Sequence, residues 1–283
     1  MFKFVLFRVL FLAAAATSVV VVEGFFSVAP TNSPKRLFGI ASKMQATSAD
    51  IFLTEAEVAA RAAAAADDDD DDDLSTVDVM EIKRRLLDLV PRMMGTDEEY
   101  RQVEAYVNTL EERFTPVQTL QFFNMATAGE WQLLFSTNLS GMAKPNTFRL
   151  RELLQRVEAN NFNGTICNEA TWDLSQDENG IFDASGTFAV KCSYTINQGA
   201  RMVVDLDDHV LELAKGSAVP KDVQGLVGLL HRAIPKELFD PNDHAMDTTY
   251  LDGDLRIVRM TGPRLEGVRD IFIRRGSMEI NPV

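Results

Sequence analysis

The side chains that could do chemistry are few, and their spacing suits little of it. His209, His231 and His244 are the only histidines. No two stand four residues apart and there is no H-E-x-x-H, so zinc-dependent hydrolysis lacks its ligands. Cys167 and Cys192 form no C-x-x-C pair, and two thiols alone do not make a zinc site. They read as buried thiols, with a cross-strand disulfide as the alternative. G-x-S-x-G, the P-loop and the dinucleotide fingerprint are missing. His209 follows Asp207-Asp208 and His244 follows Asp243, so both read as exposed turn residues. No metal, cofactor or enzymatic activity is expected.

Recognition of an apolar molecule is a better match. Asp252-Gly253 separates two β-prone runs and marks a tight hairpin, because such turns need residues that tolerate positive φ. In the second run Arg256 shares a face with Val258 and Met260, while Arg259 points the other way. A cation among apolar side chains is costly without a partner. Asp252 or Asp254 is the expected bridge. The competing reading has Arg256, helped by Tyr250, hold the polar end of a lipid. Trp131, Phe135, Phe188 and Tyr250 fall on strand-like runs, where alternate side chains fill a small barrel or line its cavity. The candidate ligand-binding residues are therefore Trp131, Phe135, Phe188, Tyr250 and Arg256.

The elements that must position them begin with helices. Val79, Ile82, Leu86, Leu89 and Met93 recur at helical spacing, with Ser75 as cap and Gly95 as stop. Thr96 and Glu99 form a capping-box pattern before the stripe Tyr100, Val103, Tyr106, Val107 and Leu110. Thr115-Pro116 starts a third, short helix through Phe122 and Met125. Strands are predicted at 130–137, 165–174, 186–196, 201–206, 209–213, 246–251, 254–260 and 268–274. Helices are predicted at 148–157 and 220–234. Successive strands without strand–helix–strand alternation indicate an antiparallel barrel or sandwich, so the fold class is mainly β with N-terminal helices.

The chain has 283 residues and a formal charge of -14, half of it in the run Asp67–Asp73. From Leu74 onward 22 Lys+Arg stand against 31 Asp+Glu. A body this acidic argues against nucleic acid as a partner. Residues 1–24 read as a signal peptide, with Lys3 and Arg8 ahead of an apolar run. Residues 25–48 are rich in Ser and Thr, carry Lys35, Arg36 and Lys43, and read as a transit peptide. Phe25-Phe26 before Ala29-Pro30 resembles the bipartite leader of algae with secondary plastids. Residues 49–73 read as a disordered Ala/Asp-rich linker. The folded domain is then 74–280.

Two blocks resemble the plastid lipid-associated protein family, also called fibrillins. Between Val103 and Ser136, V-x-x-L-E-E-R-F-T-P leads to A-G-E-W-Q-L-L-F-S; between Thr248 and Arg259 stands T-T-Y-L-D-G-D-L-R-I-V-R. The resemblance implies a lipocalin-like antiparallel β-barrel and residence at plastoglobules or thylakoids. It also implies a lipid or prenylquinone ligand and no catalytic residues. Besides an enzyme with a lipid substrate, two other readings stay open. One is a scaffold whose N-terminal helices dock a plastid enzyme of lipid or quinone synthesis. The other is a secreted lipocalin-like binding protein.

Overall fold

The computed structural model describes residues 11–12, 19–20, 74–116, 119–139, 147–176, 180–197, 200–242 and 244–276. The expected signal, transit and linker segments lie outside them, but for two dipeptide strands: Phe11–Leu12 pairs with Val19–Val20, which also pairs with Leu211 and Glu212. The chain divides into two compact units at Arg113/Phe114.

The first unit contains helices α1 (Val79–Leu89) and α2 (Asp97–Arg113). The expected stripes are partly hidden: Ile82 and Leu86 on α1 and Val103, Val107 and Leu110 on α2 are buried. The cap of α1 is Asp78 and not Ser75; its carboxylate accepts from the Met80 N–H at 3.2 Å. Asp78→Ala should cost about 1 kcal/mol, read as a lower urea midpoint. The capping box forms as expected, with Thr96 N–H donating to Glu99 at 2.8 Å and Glu99 N–H to Thr96 Oγ1 at 3.3 Å. Arg113 at the end of α2 donates to the carbonyls of Leu74, Ser75 and Val77, which pins the chain ahead of α1.

The second unit is mainly an antiparallel sheet. After α3 (Leu120–Thr127) come β1 (Gly129–Ser136), β2 (Phe148–Asn160), β3 (Asn163–Leu174), β4 (Ala184–Ile196) and β5 (Arg201–Leu213). Helix α4 (Val223–Ala233) and the one-turn α5 (Lys236–Phe239) precede β6 (Ala245–Leu251), β7 (Leu255–Thr261) and β8 (Arg269–Arg274). Each strand pairs with its neighbours in sequence, and β8 pairs with β1. Met202 pairs with Met246, joining β5 to β6, so every one of the eight has a partner on both sides. The core face carries Trp131, Phe148, Ile166, Trp172, Phe188, Val190, Tyr194, Met202, Val258 and Phe272.

Four bulges decide which side chains reach that face. In each, one residue has no partner, the ladder gains a residue and the alternation reverses. They fall at Leu134 in β1, Arg151 in β2, Asp207 in β5 and Thr249 in β6. The bulge at Arg151 accounts for the largest departure from the sequence reading. Residues 148–157 were expected to be helical but form β2. Phe148 and Leu150 face the core before the bulge, and Leu153, Gln155 and Val157 after it. That switch of parity imitates helical spacing. Asp207-Asp208, read as a turn between two strands, is likewise a bulge inside one long strand.

The hairpin at Asp252-Gly253 forms as expected. The Asp252 carboxylate accepts from the backbone N–H groups of Asp254 and Leu255 at 2.8 and 2.7 Å. The third short helix starts later than expected, with Thr119 as its cap.

Candidate functional site

The core face contains a chain of polar side chains that alternation alone dictates. Arg256 stands between Leu255 and Ile257 on β7 and therefore shares its face with Val258 and Met260. It is completely buried. Its Nη1 donates to Gln155 Oε1 at 2.7 Å, its Nε to Thr248 Oγ1 at 3.3 Å, and its Nη2 points at the Met202 sulfur at 3.5 Å. No described carboxylate is within ion-pair distance of it. The expected bridge to Asp252 or Asp254 does not form, because those carboxylates stay in or beside the hairpin turn. Burial lowers the Arg256 guanidinium to about 10, which still leaves it charged at neutral pH.

Gln155 passes the network on. Its Nε2 donates to Asn168 Oδ1 at 2.9 Å, and Asn168 Nδ2 donates to the Leu238 carbonyl at 3.0 Å. That carbonyl belongs to α5, whose Glu237, Leu238 and Phe239 are all buried. His209 Nε2 donates to the Phe239 carbonyl at 2.8 Å, which fixes its tautomer. The Phe239 ring stacks on Phe188 with centroids 5.3 Å apart. His209 and His244, expected at exposed turns, are both buried. Burial pushes the His209 imidazole below its ordinary range, against the pull of that carbonyl.

A carboxyl pair lies at one end of the same face. Ser136 Oγ and Asn138 Nδ2 donate to the two oxygens of Glu237 at 2.9 and 2.7 Å. Ser136 is the register partner of Asp270, which is completely buried and meets no hydrogen-bond donor at either oxygen. Burial, and then the charge of Glu237, holds the Asp270 carboxyl well above the ordinary carboxylate range. Sequence reading missed Asp270, Glu237 and Gln155, since an acid or amide at one inward position leaves no spacing to find.

The five candidate residues separate into two groups. Trp131, Phe188 and Arg256 share the core face. Trp131 donates from Nε1 to the Thr127 carbonyl at 2.8 Å and is covered by the Arg274 guanidinium, 4.2 Å from its ring. Phe135 and Tyr250 are on the opposite face. The bulge at Leu134 pairs Phe135 with Ile271, and the bulge at Thr249 pairs Tyr250 with Ile257. Tyr250 packs on Phe114 and donates to Asp252 at 2.9 Å, so it does not assist Arg256.

Neighbouring polar groups brace this face. Tyr194 donates to Asn124 Oδ1 at 2.7 Å, and Asn124 Nδ2 donates to the carbonyls of Asn161 and Asn163. Tyr194→Phe should cost about 1–3 kcal/mol in chemical denaturation, because it strands a buried acceptor. Cys167 and Cys192 are free thiols. Cys192 pairs in register with Ile166, so the two sulfurs lie on opposite faces of the sheet. Burial pushes Cys192 up to about 12. Among the described residues no His/Cys/Asp/Glu group could hold a metal ion, and no helix is long and apolar enough to cross a membrane. An open depression of about 650 Å³ runs along the β5–β6 junction past Arg201, His244 and Glu266 and includes none of the five candidates.

A mainly antiparallel sheet of eight strands with a few helices, enclosing one guanidinium among aromatic rings, is the class of protein these features define. The chain belongs to the PAP_fibrillin family, whose model matches residues 80–265, from α1 to the turn after β7. The family is plastid-associated and its members are lipid-associated proteins. No curated protein and no solved structure matches the chain.

Proposed function

We propose that this protein binds or organises hydrophobic small molecules, acyl lipids or prenylquinones, at a plastoglobule or thylakoid surface. In this reading the eight strands curl into a lipocalin-like barrel. Its lumen takes the apolar body of the ligand against Trp131 and Phe188, and Arg256 receives the polar head. The leader delivers the chain to a plastid of secondary origin. The observation that carries the reading is Arg256, a charge buried in the core without a carboxylate. Removing such an ion from water costs several kcal/mol, and a ligand oxygen would offset that cost.

The test is displacement of a fluorescent fatty acid from the purified protein by acyl lipids and by a prenylquinone. Saturable displacement is expected. No saturable binding of any of them removes the lumen from the proposal. A second reading is favoured by the burial of Leu238 and Phe239 against the core face. There the interior is permanently filled, and α1 and α2 dock an enzyme of lipid or quinone synthesis. Capture of such an enzyme by the intact protein, lost when both helices are deleted, would select it.

A further inference from the structure

We infer that α5 is a removable occupant of the core face, held there only while the buried Asp270 carboxyl, register partner of the Ser136 that binds Glu237, keeps its proton. The inference rests on the reading above for its consequence: the turn occupies the place a ligand would take, so its release regulates that site.

The geometry is that of a docked segment. A single helical turn has little stability of its own. It is retained by what it touches, and its partners are spread over three strands and the turn after β1. Glu237 is held by Ser136 of β1 and by Asn138 just beyond it, the Leu238 carbonyl by Asn168 of β3, and the Phe239 carbonyl by His209 of β5. Leu238 and Phe239 fill the apolar space between these anchors.

Asp270 of β8 sits against this arrangement with no donor of its own. A buried ionised carboxylate without a donor is among the costliest groups a core can hold. A protonated Asp270 can instead donate to Glu237. The proton then joins β8 to α5, and the acid is the buried group that a proton satisfies.

The other charges facing the pair do not replace that proton. Arg256 of β7 attracts Asp270, but it is engaged with Gln155 and Thr248. Tyr194 of β4 and Arg274 of β8 act on Arg256 itself. At the other end of α5, His209 and His231 lie among Asp208, Arg232, Lys236 and Asp240. Burial depresses both histidines; on exposure they return toward about 6.5 and take up protons, which opposes the trend only at the acid end of the range tested below.

The sign follows from where the proton is bound. Docked, Asp270 holds it well above the ordinary range. Once α5 leaves and water reaches this end of β8, the Asp270 carboxyl moves back toward about 3.9 and gives the proton up. Docking is therefore fully favoured below about pH 4 and weakens by up to tenfold per pH unit above it. The weakening stops once pH passes the docked pKa of Asp270.

Hydrogen exchange of the full chain without ligand tests this between pH 6 and 9. Protection factors, already corrected for intrinsic exchange rates, are read at Ile234, Leu238 and Phe239, with Ala170 and Val190 as references. Protection of the first three should fall with pH by up to tenfold per unit while the references hold. Asp270→Asn should flatten the profile, since an amide does not titrate. If that variant does not fold, Glu237→Gln removes the second carboxyl and should flatten it too. A flat wild-type profile overturns the inference, as does a fall shared by Ala170 and Val190 or a slope that survives in a folded variant. The readout needs no ligand. Failure of lipid binding leaves it standing, and a pH-independent α5 leaves lipid binding standing.

Discussion

Trp131→Ala should lower stability by about 3–5 kcal/mol, the range for deleting a buried large aromatic side chain. Three losses add at this position. The indole is completely buried, so its removal opens a cavity in the core face. The Thr127 carbonyl loses its donor. Arg274 loses the ring beneath it, although its three contacts to the carbonyls of Ala126, Ala128 and Gly253 remain. Those contacts join the end of α3 to the β6–β7 hairpin and outlast the substitution, so the damage centres on the core face and the Thr127 carbonyl. Trp131→Phe separates the contributions. It keeps most of the ring and loses the indole N–H, and should cost nearer 1 kcal/mol from the hydrogen bond plus the volume difference. Urea denaturation followed by far-UV circular dichroism reads both. A cost below about 1 kcal/mol for the alanine variant would show that Trp131 is not a keystone of this core.

Arg256→Met should move stability and ligand affinity in opposite directions. Replacing a buried ion by an apolar side chain of similar length is often neutral or stabilising by about 1–4 kcal/mol. Here part of the gain is cancelled, because Gln155 Oε1 loses its donor at a cost of about 1–3 kcal/mol. At mid-range the two leave about 0.5 kcal/mol in favour of the variant, within limits of about 2 kcal/mol against it and about 3 kcal/mol in its favour. Affinity for an acyl or quinone ligand should drop roughly tenfold or more, since a hydrogen bond to a charged group is worth about 1.5–3 kcal/mol. Arg256→Lys should not restore it, because an ammonium lacks the planar fork that reaches Gln155 and Thr248 together. A variant that is both less stable and fully competent in binding would make Arg256 a structural residue only.

The sequence was legible where alternation or capping ran unbroken. The strand holding Trp131, the hairpin at Asp252-Gly253, the capping box at Thr96 and Glu99, and the face shared by Arg256, Val258 and Met260 all stand as read. The bulges hid the rest. A residue with no partner reverses every assignment beyond it. Phe135 and Tyr250 therefore left the face of Trp131 and Arg256, and residues 148–157 took on a helical look. Nothing local announces an extra residue in a ladder, because the reversal is produced by the neighbouring strand. Lys236–Phe239 was hidden for another reason. Four residues are too few for any periodicity, and their burial is set by Asn168 and His209 far away in the chain.

Three register pairs join β5 to β6, whereas β3 and β4 share twelve. One of the three is Arg201 with Asp247, a half-exposed two-bond ion pair. The circuit of strands thus closes on a clasp fastened partly by charge that water can reach, and dissolved ions weaken such charge. Ionic strength becomes a mechanical variable for this molecule: brine loosens the clasp first, while the long β3–β4 ribbon stays whole.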